Sequence, residues 1–112
     1  MKLIDTSITK IQLSKMAKNM FGNLVKAVVD IEKEIMVVDA ELHSDQEAFL
    51  LQSGSKQENL WGINIYPEFE GDDMIEFDSM INLRPSQGNM TRGVEDINIQ
   101  KQILSIISKL IS

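Results

Sequence analysis

Between Leu24 and Leu42 the apolar residues fall on every second position, and a chain with that pattern must lay two consecutive strands against one core. Val25, Ala27, Val29 and Ile31 share one face of the first strand; Lys26, Val28 and Asp30 share the other. Glu32-Lys33-Glu34 interrupts the alternation, which resumes with Met36, Val38, Ala40 and Leu42 on an apolar face. The pair reads as a β-hairpin. With a two-residue turn, paired positions share a face, so both apolar rows point into the same core. The turn lacks the favoured Asn-Gly or Asp-Gly, which leaves its register open.

The remaining elements follow from caps and periodicity. Leu3-Ile4 is a short apolar pair suited to an edge strand. Thr9 with Gln12 makes a capping box, Ile8 and Leu13 occupy the positions of a hydrophobic staple, and Gly22 can close the helix they start, over about residues 10–21. Ser44 with Glu47 reads as a second capping box, opening a short helix through Ala48-Phe49-Leu50-Leu51 that stops at Gly54. Leu60–Tyr66 reads as a strand with Trp61, Ile63 and Ile65 on the core face and Asn64 and Tyr66 opposite. Pro67 ends it, and Glu68–Asp73 is an acidic loop. Met74–Leu83 alternates as a further strand, with Ile75, Phe77, Ile81 and Leu83 inward and Glu76, Asp78, Asn82 and Arg84 outward. Pro85–Glu95 is a polar loop, after which Asp96 can cap a last helix with a wide apolar stripe from Ile99 to Ile111. The order β-α-β-β-α-β-β-α predicts an α+β fold: a mostly antiparallel sheet of four main strands with three helices packed on one face.

The 112 residues suit one domain, 1–112, and the hydrophobic fraction of 43% is enough for a single modest core. No apolar run approaches the roughly 20 residues that span a bilayer, and the N-terminus meets a charge after two apolar residues, so no membrane partner and a cytoplasmic address are expected. Without cysteine there is no thiolate metal site and no Cys nucleophile. The net charge of −6 makes nucleic acid an unfavoured partner, since counterion displacement needs clustered Lys and Arg. Only two arginines are present, Arg84 and Arg92, and both fall in one loop.

Two concentrations of polar residues could carry chemistry. Asp39-x-Glu41-x-His43, if extended, would aim three side chains the same way about 7 Å apart, toward one water or one divalent cation. Glu41 would then be a general base and His43 an acid or ligand. With no further His or Cys the remaining ligands would be oxygens, a poor zinc site, and the plainer account is that His43 simply ends the strand. The second concentration, Asn82 to Gly93, holds both arginines with Gln87, Asn89 and two glycines, the guanidinium forks and amides that a phosphate or carboxylate needs. Its plainer account is pairing of the arginines with the chain's own carboxylates. Ser55 has no local histidine, and Asp72-Asp73 lacks the spacing of an EF-hand.

Glu41-Leu42-His43, Gly54-Ser55-x-Gln57-Glu58-x-Leu60-Trp61-Gly62, Tyr66-Pro67 and Asn82-x-Arg84-Pro85-x-Gln87-Gly88-Asn89 together resemble a family of small uncharacterised prokaryotic proteins, the domain of unknown function 5674 family. The resemblance spans nearly the whole chain and implies a stand-alone prokaryotic protein of this size. It brings no activity, ligand or catalytic residue with it. The chain departs from the family pattern at Glu34, where a glycine stands, and at Met90, where a basic residue stands.

Two functions are compatible with these residues. One is a site for an anionic or phosphorylated small molecule, hydrolytic in its stronger form, with Asn82, Arg84, Gln87, Asn89 and Arg92 holding the anion and Glu41 and His43 supplying acid–base chemistry. It requires the segments Val37–Leu42 and Met74–Leu83 to be neighbours. The other is a non-catalytic interaction module or homodimer that uses Val28, Ile35, Val37 and Tyr66 on the non-core face as its contact.

Overall fold

The computed structural model describes residues 1–112. In chain order the elements are β1 (Lys2–Ile4), α1 (Lys10–Asn19), β2 (Val25–Asp30), β3 (Ile35–Val38), α2 (His43–Gln52), β4 (Leu60–Ile65), β5 (Ile75–Glu76) and α3 (Ile97–Leu110), with short 3-10 turns between the later ones. The fold is α+β, and the sequence order of elements is the expected one. The sheet has five antiparallel strands in the order β1-β3-β2-β4-β5.

Local chemistry explains most boundaries. Thr9 and Gln12 form the full capping box at the start of α1, each satisfying a free N–H of the other's backbone. Asp96 accepts from Asn98 N to open α3. The hairpin turn holds four residues rather than two, Ile31 to Glu34, closed by the Asp30–Ile35 pair. Asp30, fully buried, shapes it: Oδ1 accepts from Glu32 N and Lys33 N, and Oδ2 accepts from Ser55 Oγ at 2.6 Å. Glu34 completes the turn at φ 56°, a left-handed conformation in which a side chain is strained.

The core lies where the alternation puts it. Val25, Ala27, Val29, Met36, Val38, Trp61, Ile63 and Ile65 face α1 and α3 in one apolar cluster. One expectation is corrected: the helices do not share a face. Leu50 of α2 packs on Val28, Val37 and Leu60 on the opposite side of the sheet. Val28 and Val37, expected to be free for a protein contact, are therefore fully buried beneath α2. What α2 leaves uncovered on this second face is the ground on which the candidate site stands.

The strand expected at Met74–Leu83 is cut to Ile75–Glu76. From there the chain leaves the ladder and lies against β4 through a 3-10 turn, Met80–Asn82. Gly62 makes that approach possible. A Cβ at this position would come within 2.5 Å of Ser79 Cβ. No helix is long and apolar enough to cross a membrane.

A polar cleft beside β4 as the candidate functional site

The acidic pair expected beside His43 is dispersed by backbone geometry. β3 ends at Val38, Asp39 takes φ 66°, and the alternation that would align Asp39, Glu41 and His43 is broken. Glu41 is exposed on the turn, while His43 is buried as the first residue of α2. No group of three or more His, Cys, Asp or Glu is placed to hold a metal ion, so the divalent-cation reading loses its geometric basis. The segments Val37–Leu42 and Met74–Leu83 do not form adjacent strands and approach each other only where Leu42 and Asp78 to Ile81 line one cleft. β2 and β4 lie between β3 and β5, which at about 4.8 Å per strand separates them by roughly 14 Å.

The start of α2 also differs from the capping-box expectation. The N-cap is Leu42, with no side-chain bond, rather than Ser44. Tertiary anchors override the local signal. His43 Nε2 lies 2.8 Å from Ile63 O, and Gln46 Nε2 donates to Lys26 O at 2.8 Å, so the first turn of α2 is fastened to β4 and β2.

Arg84 and the amides around it close the open edge of β4 where β5 is missing. Asn82 Oδ1 accepts from Gly62 N and its Nδ2 donates to Gly62 O, reproducing with one side chain the two bonds a strand would make. Arg84 continues the edge. Its Nη2 donates to Leu60 O, Nη1 to Gln57 O and to Gln87 Oε1, and Nε to Ile81 O. The guanidinium lies over the Trp61 ring, 4.3 Å from its centroid. Burial lowers the Arg84 pKa and the Glu47 charge raises it, but a guanidinium keeps its proton. Gln87 also donates to Glu58 O, and Asn89 Nδ2 donates to the carbonyls of Asn82, Thr91 and Gly93. Of the expected anion ligands, Asn82, Arg84, Gln87 and Asn89 thus direct their donors at backbone carbonyls and, from Arg84, at Gln87 Oε1, and Arg84 keeps one free N–H of its five.

Arg92 has a different environment. Its Nε donates to Asp78 Oδ1 at 2.7 Å, both side chains are about half exposed, and its Nη groups make no hydrogen bond within the protein. It lines a cleft of about 310 Å³ together with Lys26, His43, Ser44, Asn64 and Asp78, under the exposed rims of Leu42 and Met80. The cleft follows from register. Lys26 pairs with Asn64 and Asn64 with Glu76, so a polar row crosses β2, β4 and β5. Lys26 is in no ion pair and rests 4.9 Å over the Phe21 ring. Of the expected site residues, only His43 and Arg92 meet here. A hollow of about 390 Å³ between Ile31, Glu34 and α3 is larger but carries no comparable set of acid–base groups.

His43 is the one imidazole in the cleft. Its Nε2 faces a carbonyl, so Nε2 carries the proton and Nδ1 is left as an acceptor. Burial pushes its pKa below the ordinary 6.5; the Ile63 bond and Asp78 oppose that, while Lys26 and Arg92 add to it. The imidazole is therefore neutral at pH 7. Ser44 and Asp78 share the cleft, but a Ser–His–Asp relay needs both ring nitrogens, and Nε2 is already engaged.

Fold and cleft define a small α+β domain in which one half of a sheet face is sealed by a helix and the other half is polar and open. The family model described as Protein of unknown function (DUF5674) matches residues 2–110, and the chain belongs to that family. No curated protein matches the chain, and no solved structure does.

Proposed function

We propose that the domain binds a small anionic ligand in the cleft between α2 and β4, with Arg92 and Lys26 as its cations and His43 as its acid–base group. The observation that carries this reading is the convergence of Lys26, Arg92 and a neutral His43 on one cleft in a chain of net charge −6. Asp78 anchors Arg92 through Nε alone, which leaves the two Nη groups oriented and free to bind an anion bidentately. His43 Nδ1 can accept a proton from a ligand hydroxyl or a water, the contribution a hydrolytic step would need. Glu41 and the Arg84 knot take no part in this site.

A thermal-denaturation screen of the chain with phosphate, small carboxylates and nucleotides tests it. A ligand that binds only the folded state raises the midpoint, by about 2.7 kcal/mol of stability at one hundred times its Kd. Arg92→Gln should abolish the rise. If none of these anions moves the midpoint, the reading fails.

A further inference from the structure

The cleft is not lined by donors alone. Asp78 holds Arg92 through Oδ1 and leaves Oδ2 unbonded. His43 presents Nδ1 as a lone pair. Asn64, only 7% exposed, lines the same cleft and has a buried Oδ1 with no hydrogen-bond partner. Inorganic phosphate would use Arg92 and Lys26, and its P–OH hydrogens, carried on the anion itself, could reach these acceptors only by drawing its charge against Asp78.

We propose that the ligand is a phosphate monoester of a small polyol, with its phosphate on Arg92 and Lys26 and its hydroxyls donated to Asp78 Oδ2 and His43 Nδ1. The inference rests on the anion-site reading and narrows its ligand class. The three acceptor oxygens of a monoester suit the free Nη groups of Arg92 and the Lys26 ammonium better than the two oxygens of a carboxylate. A hydroxyl suits the acceptors better than an ammonium group, which would stand beside two cations. The volume, about 310 Å³, falls at the lower end of the roughly 300–1,000 Å³ typical of small-molecule sites and favours a short polyol.

Calorimetric titration of the whole chain with glycerol phosphate, inorganic phosphate and glycerol provides the test. Glycerol phosphate should bind about tenfold more tightly than inorganic phosphate, the scale of one hydrogen bond to a charged group, and glycerol should not bind measurably. Asp78→Asn keeps an oxygen for Arg92 Nε but replaces the free acceptor with a donor, so it should erase the preference while retaining phosphate binding. That retained binding also shows the variant to be folded. Equal affinity of the two anions, or a preference that survives Asp78→Asn, overturns the polyol inference and leaves the anion site standing. No binding of either anion, with Arg92→Gln indistinguishable from the parent, overturns both.

Discussion

Arg84 and Arg92 belong to one loop and one residue type, yet the fold puts them to opposite uses. Arg84 is buried, lies on Trp61, and gives its hydrogens to the carbonyls of Gln57, Leu60 and Ile81 and to Gln87. Arg92 is half exposed, held at one nitrogen by Asp78, and open at the other two. The difference arises from β4. Where β5 stops, β4 has unpaired carbonyls that must be satisfied, and the nearer arginine is drawn into that task. Arg92, whose side chain bonds only Asp78, is the arginine left half exposed. A guanidinium in a glycine-containing loop is therefore not in itself a sign of an anion site.

The largest expected effect falls on the structural half of the comparison. Arg84→Ala leaves several buried carbonyls without donors and should cost about 3 kcal/mol or more, read as a lower urea midpoint. Arg84→Lys should recover only part of it, because an ammonium cannot span the same carbonyls or stack on Trp61. Gly62→Ala comes next. Its methyl would collide with Ser79 and push the 79–82 segment off β4, at about 1–3 kcal/mol by the same urea measurement. Since Ser79 and Ile81 also line the cleft, anion affinity should fall with it.

His43 gives a pH test that joins the two halves. Its folded pKa lies below its unfolded one, so as pH falls the unfolded chain takes up the proton first. The stability due to this residue is present above about pH 6.5 and is lost progressively below it. Urea midpoints measured from pH 7.5 to 5 should decline, and His43→Gln should remove that part of the slope. Arg92→Gln should change stability by no more than about 0.5 kcal/mol, as for an exposed ion pair, while weakening anion binding at least tenfold. A stability loss as large as that of Arg84→Ala would erase the distinction between the two arginines. Glu34→Gly should be the one stabilising change, a gain of about 1 kcal/mol from relief of a left-handed φ of 56°, visible as a higher thermal midpoint.

The parts legible in the sequence were those with a period or a local cap. The Thr9–Gln12 box, the Asp96 cap, the facing of Val25, Ala27, Val29, Met36 and Val38, and the core face of Trp61, Ile63 and Ile65 all stand as the pattern placed them. Met74–Leu83 alternates as well, but only two of its residues join the ladder, because the side chains of Asn82 and Arg84 replace the remaining strand. Side-chain bonds to a sheet edge have no period to read. Asp39 and Glu41 were drawn into the site by an alternation that the left-handed Asp39 ends, and Ser44 lost its cap to the anchoring of His43 on β4. Lys26, Asn64 and Asp78 were placed on the polar face by alternation. Their meeting with Arg92 depends on cross-strand register and on a close approach at Gly62, both set by tertiary contacts.

The separation of a structural Arg84 knot from the Arg92 cleft proposed to bind an anion can be read in one titration. Amide chemical shifts of the isotope-labelled chain, followed as millimolar inorganic phosphate is added, report where the anion lies. The expected result is a saturable shift confined to Lys26, His43, Ser44, Asn64, Asp78 to Ile81 and Arg92. Shifts centred on Arg84 to Asn89, or none anywhere, would contradict it.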